Sequence, residues 1–533
     1  MPRMTGGQAL VKALYQEGVR VIFGLPGVQL YHALDPLYDE PRIRFITTRH
    51  EQATTYMADG FSRAGGGIGT ALVVPGPGLL NATAGIGTAY AASSPILVLS
   101  GQVQRELIGV NRGVLHEIHD QLDAVRPITK WAHRVVDPTL IPDAVHEAFY
   151  HLRTGRPRPV ELEIPPETLE EVADIDFPKP GNYQRQVASE ESLLEAIRVL
   201  GNSKRPLIWA GGGVNSSGAS DALMSIADYL QAPVITTGEG KGSISDKHYL
   251  SFGVPRNTSE PIGKEIANYD LVIAVGTRLA TPHLLNGQQV LQIDVDSDEI
   301  GRNYDKTVGL VGDAKLTLEA LYRIMQNNIP KADSREGELA AIKSKILEES
   351  RRLEPQDSFN AAIRSAMPDD GILVAGMTQL GYYSRAYYPV YWPGTYLNSS
   401  YFGNLGFAFP VALGAKVAQP ERSVVAISGD GGFLYNSQEL ATAVKYGINV
   451  VTVVFNDNAY GNVLRDQQTR FEGRTLGAEL HNPDFVKLAE AYGARGVRVE
   501  GPEKLEAELK YSLGFQGPTL IEVPVGMMPN PFS

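Results

Sequence analysis

The run from Gly429 to Gly461 constrains this 533-residue chain more than any other stretch, because it spells a strand, a glycine-aspartate turn, a helix and a second strand. An apolar segment, Val424 to Ile427, precedes Gly429-Asp430-Gly431-Gly432, and another, Val450 to Phe455, precedes Asn456-Asp457. Short apolar runs bounded by turn residues read as buried strands, and the stretch between them reads as a helix for Asn436 or Ser437 to cap. A strand-helix-strand crossover makes its strands parallel, and parallel sheets take ligands beyond the strands' carboxyl ends. Asp430 and Asp457, 27 positions apart, are thereby delivered to one edge. Two hard oxygen donors there suit a Mg²⁺ shared with phosphates, while Gly431 and Gly432 admit phosphate oxygens to the backbone amides with no Cβ in the way. The alternative for these residues is a glycine turn followed by an Asx turn.

Composition sets the outer limits. A chain of this length calls for about three domains, since single cores rarely grow past ~250 to 300 residues. Hydrophobic residues make up 43%, enough to fill those cores, and no apolar run reaches the ~18 residues of a membrane span. The amino terminus lacks a basic-then-apolar leader, so the expectation is a cytoplasmic protein with no membrane partner. With no cysteine, disulfides and thiolate catalysis are excluded, and a net charge of -12 argues against nucleic acid.

Three α/β blocks follow from the alternation of apolar runs and turns, each expected to be a parallel sheet flanked by helices. The first, residues 1–170, carries Phe23-Gly24-Leu25-Pro26-Gly27, a strand Ile43 to Ile46, the segment Thr48-Arg49-His50-Glu51-Gln52-Ala53 and the strand-turn Ala71 to Gly78. A proline-containing linker, Phe177 to Gln184, separates it from the second block, 190–330, in which a helix Glu190 to Leu200 leads to a strand ending in Gly211-Gly212-Gly213-Val214. Later strands there are Leu271 to Val275 and Val290 to Val295, giving a Rossmann-like pattern, though GGGV is not the GxGxxG of dinucleotide sites. The charged stretch Asp333 to Leu353 reads as a solvated helical connector, and the third block, 358–533, holds the aspartate pair.

These motifs together resemble the thiamine diphosphate-dependent enzymes over essentially the whole chain, and within them the acetolactate synthase-like branch, with benzaldehyde lyase and oxalyl-CoA decarboxylase as relatives. The resemblance rests on Phe23 to Gly27, Arg49 to Arg63, Pro75 to Asn81, Arg126 to Trp131, Gly238 to Gly242, Gln292 to Ile300, Gly403 to Pro410 and Gly429 to Asn436. It implies thiamine diphosphate and Mg²⁺ as cofactors, with metal ligands at Asp430, Asp457 and the carbonyl of Ala459. The family carries asparagine where this chain has Asp457, and aspartate is at least as good a hard donor. Glu51 is implied as the carboxyl that donates to the cofactor's pyrimidine nitrogen, so that the cofactor's own amino group can remove its C2 proton. Leu405 is implied as the apolar wedge that bends the cofactor, and Pro26, Gly403, Gly429, Gly431, Gly432 and Tyr460 as further cofactor contacts. Active sites at the subunit interface of a homodimer or homotetramer follow from the same resemblance.

Substrate positions depart from each relative. His116 and Glu117, in Leu115 to Gln121, stand where relatives vary Phe, His, Gln and Glu beside the reacting carbon, and Gln29 stands where benzaldehyde lyases have His. The alternatives for His116 and His119 are ordinary helix-borne histidines or a zinc site, against which the HExH spacing argues. Gly276 to Pro282 lacks the segment of flavin-binding members, which speaks against FAD, and Asp466 replaces a tryptophan tied to larger ketoacid acceptors. The expected activity is carbon-carbon bond formation or cleavage on a 2-ketoacid or aldehyde, acetolactate synthesis from pyruvate first. The alternatives are a 2-ketoacid decarboxylase, a benzaldehyde lyase-like carboligase or a 2-hydroxyacyl-CoA lyase, and beyond these a non-catalytic binding homologue. Residues 463–476 are expected to form a loop near the substrate.

Overall fold

The computed structural model describes residues 1–181, 183–350 and 352–531. It contains three six-stranded sheets in which each adjacent pair of strands runs parallel, plus a small antiparallel pair, Arg3–Thr5 with Val172–Asp174. In the first sheet the strands lie in the order Arg44–Thr47, Val21–Gly24, Gly69–Val73, Ile96–Gly101, Val160–Ile164, Trp131–Arg134. In the third the order is Tyr396–Asn398, Ile372–Ala375, Val424–Gly429, Val451–Asn456, Thr519–Pro524, Arg495–Arg498. Numbered by appearance within each sheet, both read 2-1-3-4-6-5. The middle sheet differs: Ser251–Gly253, Val234–Thr236, Pro206–Ala210, Leu271–Val275, Gln289–Asp294, Thr307–Val311 read 3-2-1-4-5-6, the doubly wound dinucleotide-fold order.

Strand chemistry explains why these sheets are buried on both faces. Val424-Val425-Ala426-Ile427 and Val451-Thr452-Val453-Val454-Phe455 are continuous rather than alternating apolar runs, as sheets covered by helices on two sides require. First and third blocks share one core. Helix Glu51–Phe61 lies against helix Ala408–Ala418, and Phe23, Tyr56 and Met57 belong to the same buried cluster as Phe407, Phe409 and Phe433. Close approach needs small residues: a Cβ on Gly414 would run into the carbonyl of Met57. Polar ties complete the junction. Glu439 accepts from Arg49 N–H at 3.0 Å, and Tyr446 Oη accepts from Thr47 N–H at 2.9 Å.

Several local expectations are corrected. The Gly429–Gly461 run holds two helices, Asp430–Leu434 and Glu439–Tyr446, and the second starts at Gln438 with no side-chain cap. Asn436 is spent elsewhere, donating to Gly406 O at 2.8 Å and Gln52 Oε1 at 3.2 Å. The charged connector is not simply solvated. Its helix, Glu336–Glu349, buries Leu339 and Ile346 in the central core, and Lys343 donates to Asp246 O and His248 O. Arg351 of that connector, Asn182 of the linker and residues 532–533 lie outside the described residues. In place of a loop, Gly461–Arg470 is helical. No helix among the described residues is long and apolar enough to cross a membrane.

Candidate active site

The two sheets of like strand order present their candidate residues just past strand carboxyl ends. In the third block, Asp430 opens a short helix directly after Val424–Gly429, and Asp457 follows Val451–Asn456, the neighbouring strand. Asp430 is 1% exposed; its Oδ1 accepts from Gly431 N–H at 2.9 Å and its Oδ2 from Asn482 Nδ2 at 2.6 Å. Burial raises its pKa above the usual aspartate value. Asp457 is pushed up to about 7 by burial and by the charge of Asp430. A buried carboxylate that raises a half-buried neighbour marks a site short of positive charge.

The surrounding backbone is shaped for ligation. Asn458 takes a left-handed φ of 53°, Asn458 N–H donates to Asn456 Oδ1 at 3.2 Å and Ala459 N–H to Asp457 Oδ1 at 3.3 Å. Asparagine tolerates that conformation better than a branched residue does. Residues 478–480 pair with this turn: Tyr460 N–H donates to Ala478 O, and Leu480 N–H to Asn458 O, each at 2.8 Å. Tyr460 covers Gly431, where a Cβ would meet its ring at 2.6 Å. Leu405 is half-buried beside the turn, with Cδ2 4.0 Å from the position a Gly432 Cβ would take, and Gly403 before it has a φ of 66° that favours glycine.

These residues fit Mg²⁺ and a diphosphate. The donor set is two carboxylates, with the Ala459 carbonyl as the expected third, and among the described residues no group of three or more His, Cys, Asp or Glu forms a metal cage. An incomplete protein shell is what a Mg²⁺ shared with phosphate oxygens and water requires. Asn482 Oδ1, buried at the same edge, has no hydrogen-bond partner.

In the first block Glu51 begins helix Glu51–Phe61 and is 8% exposed. Its Oε2 accepts from Asn81 Nδ2 at 3.1 Å. His50 caps the same helix, its ring nitrogen accepting from Gln52 N–H at 3.1 Å. Pro26, after Val21–Gly24, is exposed. Gln29 and His116 are brought together, Gln29 Oε1 lying 3.0 Å from His116 Nδ1 while Gln29 Nε2 donates to Leu115 O at 3.4 Å. His116 sits in no helix. Its φ of 68° is strained for a residue with a Cβ, a condition that persists only where neighbours enforce it. Glu117 is one enforcer, accepting from Arg112, Gly113 and Val114 N–H at 3.1, 2.6 and 3.0 Å. Those amides lower its pKa, so it stands as an ionised carboxylate at the surface. His119 turns away toward Asn111.

Four residues at these edges are given no role by the sequence, although Asn81 ends the stretch Pro75 to Asn81. Gln379 donates from Nε2 to Asp457 Oδ2 at 2.7 Å; Arg465 donates to Gln379 Oε1 at 3.4 Å; Asn482 and Asn81 hold Asp430 and Glu51. For Gln379 a signal existed in its place shortly past the strand Ile372–Ala375, and for Asn81 in the Pro75 to Asn81 stretch. In the middle block, the amides of Gly211 and Gly213 donate to Val275 O and Gly276 O, so the glycine turn spends them internally. Arg278, from the segment that departs from flavin-binding members, lies over the Tyr401 ring at 4.5 Å.

Comparison with known proteins finds a family match in each of the three blocks. Residues 4–124 match the model of the thiamine pyrophosphate enzyme N-terminal TPP binding domain, 193–321 that of the central domain and 376–523 that of the C-terminal TPP binding domain. The chain is 35% identical to a probable acetolactate synthase large subunit of Methanocaldococcus jannaschii, over 98% of this chain and 92% of that protein. It is 34% identical to a probable 2-ketoarginine decarboxylase of Pseudomonas aeruginosa (98% and 94%) and 33% identical to an acetolactate synthase large subunit of Lactococcus lactis (97% and 92%).

Proposed function

This chain belongs to the thiamine pyrophosphate enzymes, in their acetolactate synthase-like branch, and from that premise we propose that it uses thiamine diphosphate with Mg²⁺ to decarboxylate a 2-ketoacid and join the remaining fragment to a second carbonyl. One observation carries the reading: Asp430 and Asp457 converge at the edge of one sheet while buried Glu51 stands at the matching edge of a sheet with the same strand order. Bound cofactor supplies a carbon nucleophile able to add to a ketone and to hold the electrons released with CO₂. Asp430, Asp457 and the Ala459 carbonyl hold the cation that anchors the diphosphate. Leu405 offers both rings an apolar support. Glu51, with Asn81 fixing one of its oxygens, holds a proton against the pyrimidine nitrogen. Gln29 and His116, joined at 3.0 Å, face the substrate side and orient its carbonyl.

A homo-oligomer with sites between subunits is part of the proposal. Phe402, Tyr435, Phe471 and Leu476 at one edge, and Val28, Tyr31 and Leu115 at the other, are exposed apolar side chains of the kind an interface covers.

Decarboxylation without ligation is the second reading, favoured by ionised Glu117. A second ketoacid's carboxylate would meet like charge there, whereas the cationic side chain of a single donor ketoacid would meet an opposite one, and one relative bears the name of a 2-ketoarginine decarboxylase. Incubation with pyruvate, benzoylformate and 5-guanidino-2-oxopentanoate, with products identified by mass, separates the readings. Acetolactate from pyruvate supports the first, an aldehyde as sole product the second, and no consumption of any 2-ketoacid by cofactor-loaded protein contradicts both.

A further inference from the structure

The segment after the last strand reaches the proposed cation site through a side chain that no motif marks. Val525 N–H donates to Asn456 O at 2.9 Å, one residue before Asp457. Three residues on, Met528 is buried and its N–H donates to Gln379 Oε1 at 2.8 Å. Arg465, 7% exposed, donates from Nη1 to Met528 O at 3.1 Å and to Gln379 Oε1 at 3.4 Å. The Gln379 oxygen therefore faces two donors. Its amide has one orientation left, with Nε2 toward Asp457 Oδ2, because the reverse would set an NH₂ against two donors and an oxygen against a carboxylate. The far part of the segment is held from outside the site: Gln356 Nε2 donates to Pro529 O at 2.8 Å, and Arg256 of the central block donates to Pro531 O and also, at 2.8 Å, to Tyr387 Oη at the far end of the helix that Gln379 begins.

We infer that residues 525–531 act as a strap that positions the Asp457 carboxylate through Gln379, so that docking of the strap and binding of a divalent cation at Asp430 and Asp457 reinforce one another. The inference rests on the reading of those two aspartates as the cation ligands. Its physical basis is the extra charge at position 457. An uncharged ligand needs little to hold it near Asp430, whereas a carboxylate is repelled by its neighbour and stays in ligating position only with donors behind it. Gln379 is that donor, polarised by the Arg465 guanidinium and the Met528 amide on its other end. Reciprocity is then required: whatever the strap adds to cation affinity, the cation adds to strap docking.

Mn²⁺ titrated into the full chain with saturating thiamine diphosphate, read by electron paramagnetic resonance, tests both sides. Gln379→Leu and the remote Arg256→Ala should each weaken Mn²⁺ binding by about tenfold, a typical coupling factor, whereas Tyr387→Phe, which removes the other Arg256 bond and leaves the strap alone, should not. Acting through one strap, the first two should not add, so their double variant should bind like Gln379→Leu alone. Hydrogen exchange supplies a readout that a merely structural role would leave still: Mn²⁺ should slow exchange of the Val525 and Met528 amides in the parent protein and not in Gln379→Leu. Should Gln379→Leu fail to fold, Arg256→Ala and exchange in the parent protein decide. Mn²⁺ affinity within twofold of the parent in Arg256→Ala, additive effects, or exchange indifferent to Mn²⁺ would overturn the strap. Failure of the underlying site looks different, as unchanged Mn²⁺ binding in Asp430→Ala.

Discussion

The first and third blocks share a strand order and a core, yet their functional edges are built on opposite electrostatic plans. At the third block's edge burial raises the pKa of Asp430, burial and the charge of Asp430 raise that of half-buried Asp457, and a set of amides from Gln379, Asn482 and the backbone steadies them. At the first block's edge a single buried carboxyl, Glu51, meets one side-chain amide, and the nearby histidine is held in a strained backbone by Gln29 and Glu117. One architecture used twice thus delivers side chains to equivalent places, and the number of charges delivered decides what each place does. A pair of carboxylates asks for a divalent cation and the phosphates that come with it; a lone carboxyl is free to share a proton with a neutral ring.

Removing a group from each edge should break the comparison in different ways. The largest effect is expected of Asp430→Ala, which should abolish Mg²⁺-dependent binding of thiamine diphosphate, measured by calorimetry with and without a chelator. Glu51→Gln should bind the cofactor almost normally, since its anchor lies at the other edge, while turnover falls by ~10² to 10⁴ and exchange of the cofactor C2 proton, followed by NMR, slows with it. Were the two variants to show the same defect, the division of labour would be wrong.

The junction between the blocks gives a third, smaller effect. Glu439 is fully buried beneath Arg49, and burial raises its pKa to about 7. A carboxyl raised in this way contributes stability fully present below its ordinary 4.5 and lost as pH rises through about 7, with a slope of at most ~1.4 kcal/mol per pH unit. Glu439→Gln should flatten the pH dependence of the urea midpoint across that window, and an unaltered slope would assign it elsewhere. Glu117→Gln should be smallest. It should leave cofactor affinity alone and shift products from pyruvate toward acetolactate, by removing a charge that repels the acceptor carboxylate; an unchanged product ratio would make Glu117 a brace for the His116 loop and nothing more.

Much of this was legible in the sequence. Continuous apolar runs ending in glycine turns marked the buried parallel strands, and Asp430, Asp457 and Glu51 each stand where those runs end. What escaped was whatever depends on contacts between distant segments. Asn436 has the chemistry of a helix cap, but Gly406 and Gln52 compete for its amide and the helix starts without it. Residues 461–470 carry a glycine start and polar content that suggest a loop, while Arg465 and Gly461 are buried and the segment is helical. Gln379, Arg465 and Met528 lie 149 residues apart at the extremes and meet only in three dimensions.

The comparison stands or falls on whether the two edges complete one another between subunits. Inactive Glu51→Gln and inactive Asp430→Ala chains, mixed in equal amounts under conditions of proven subunit exchange, should recover roughly a quarter of the activity of the unsubstituted protein, since half of random pairs hold one intact site of two. Mixed subunits that exchange freely and stay inactive would show that the two edges do not complete one another between subunits and would contradict the account.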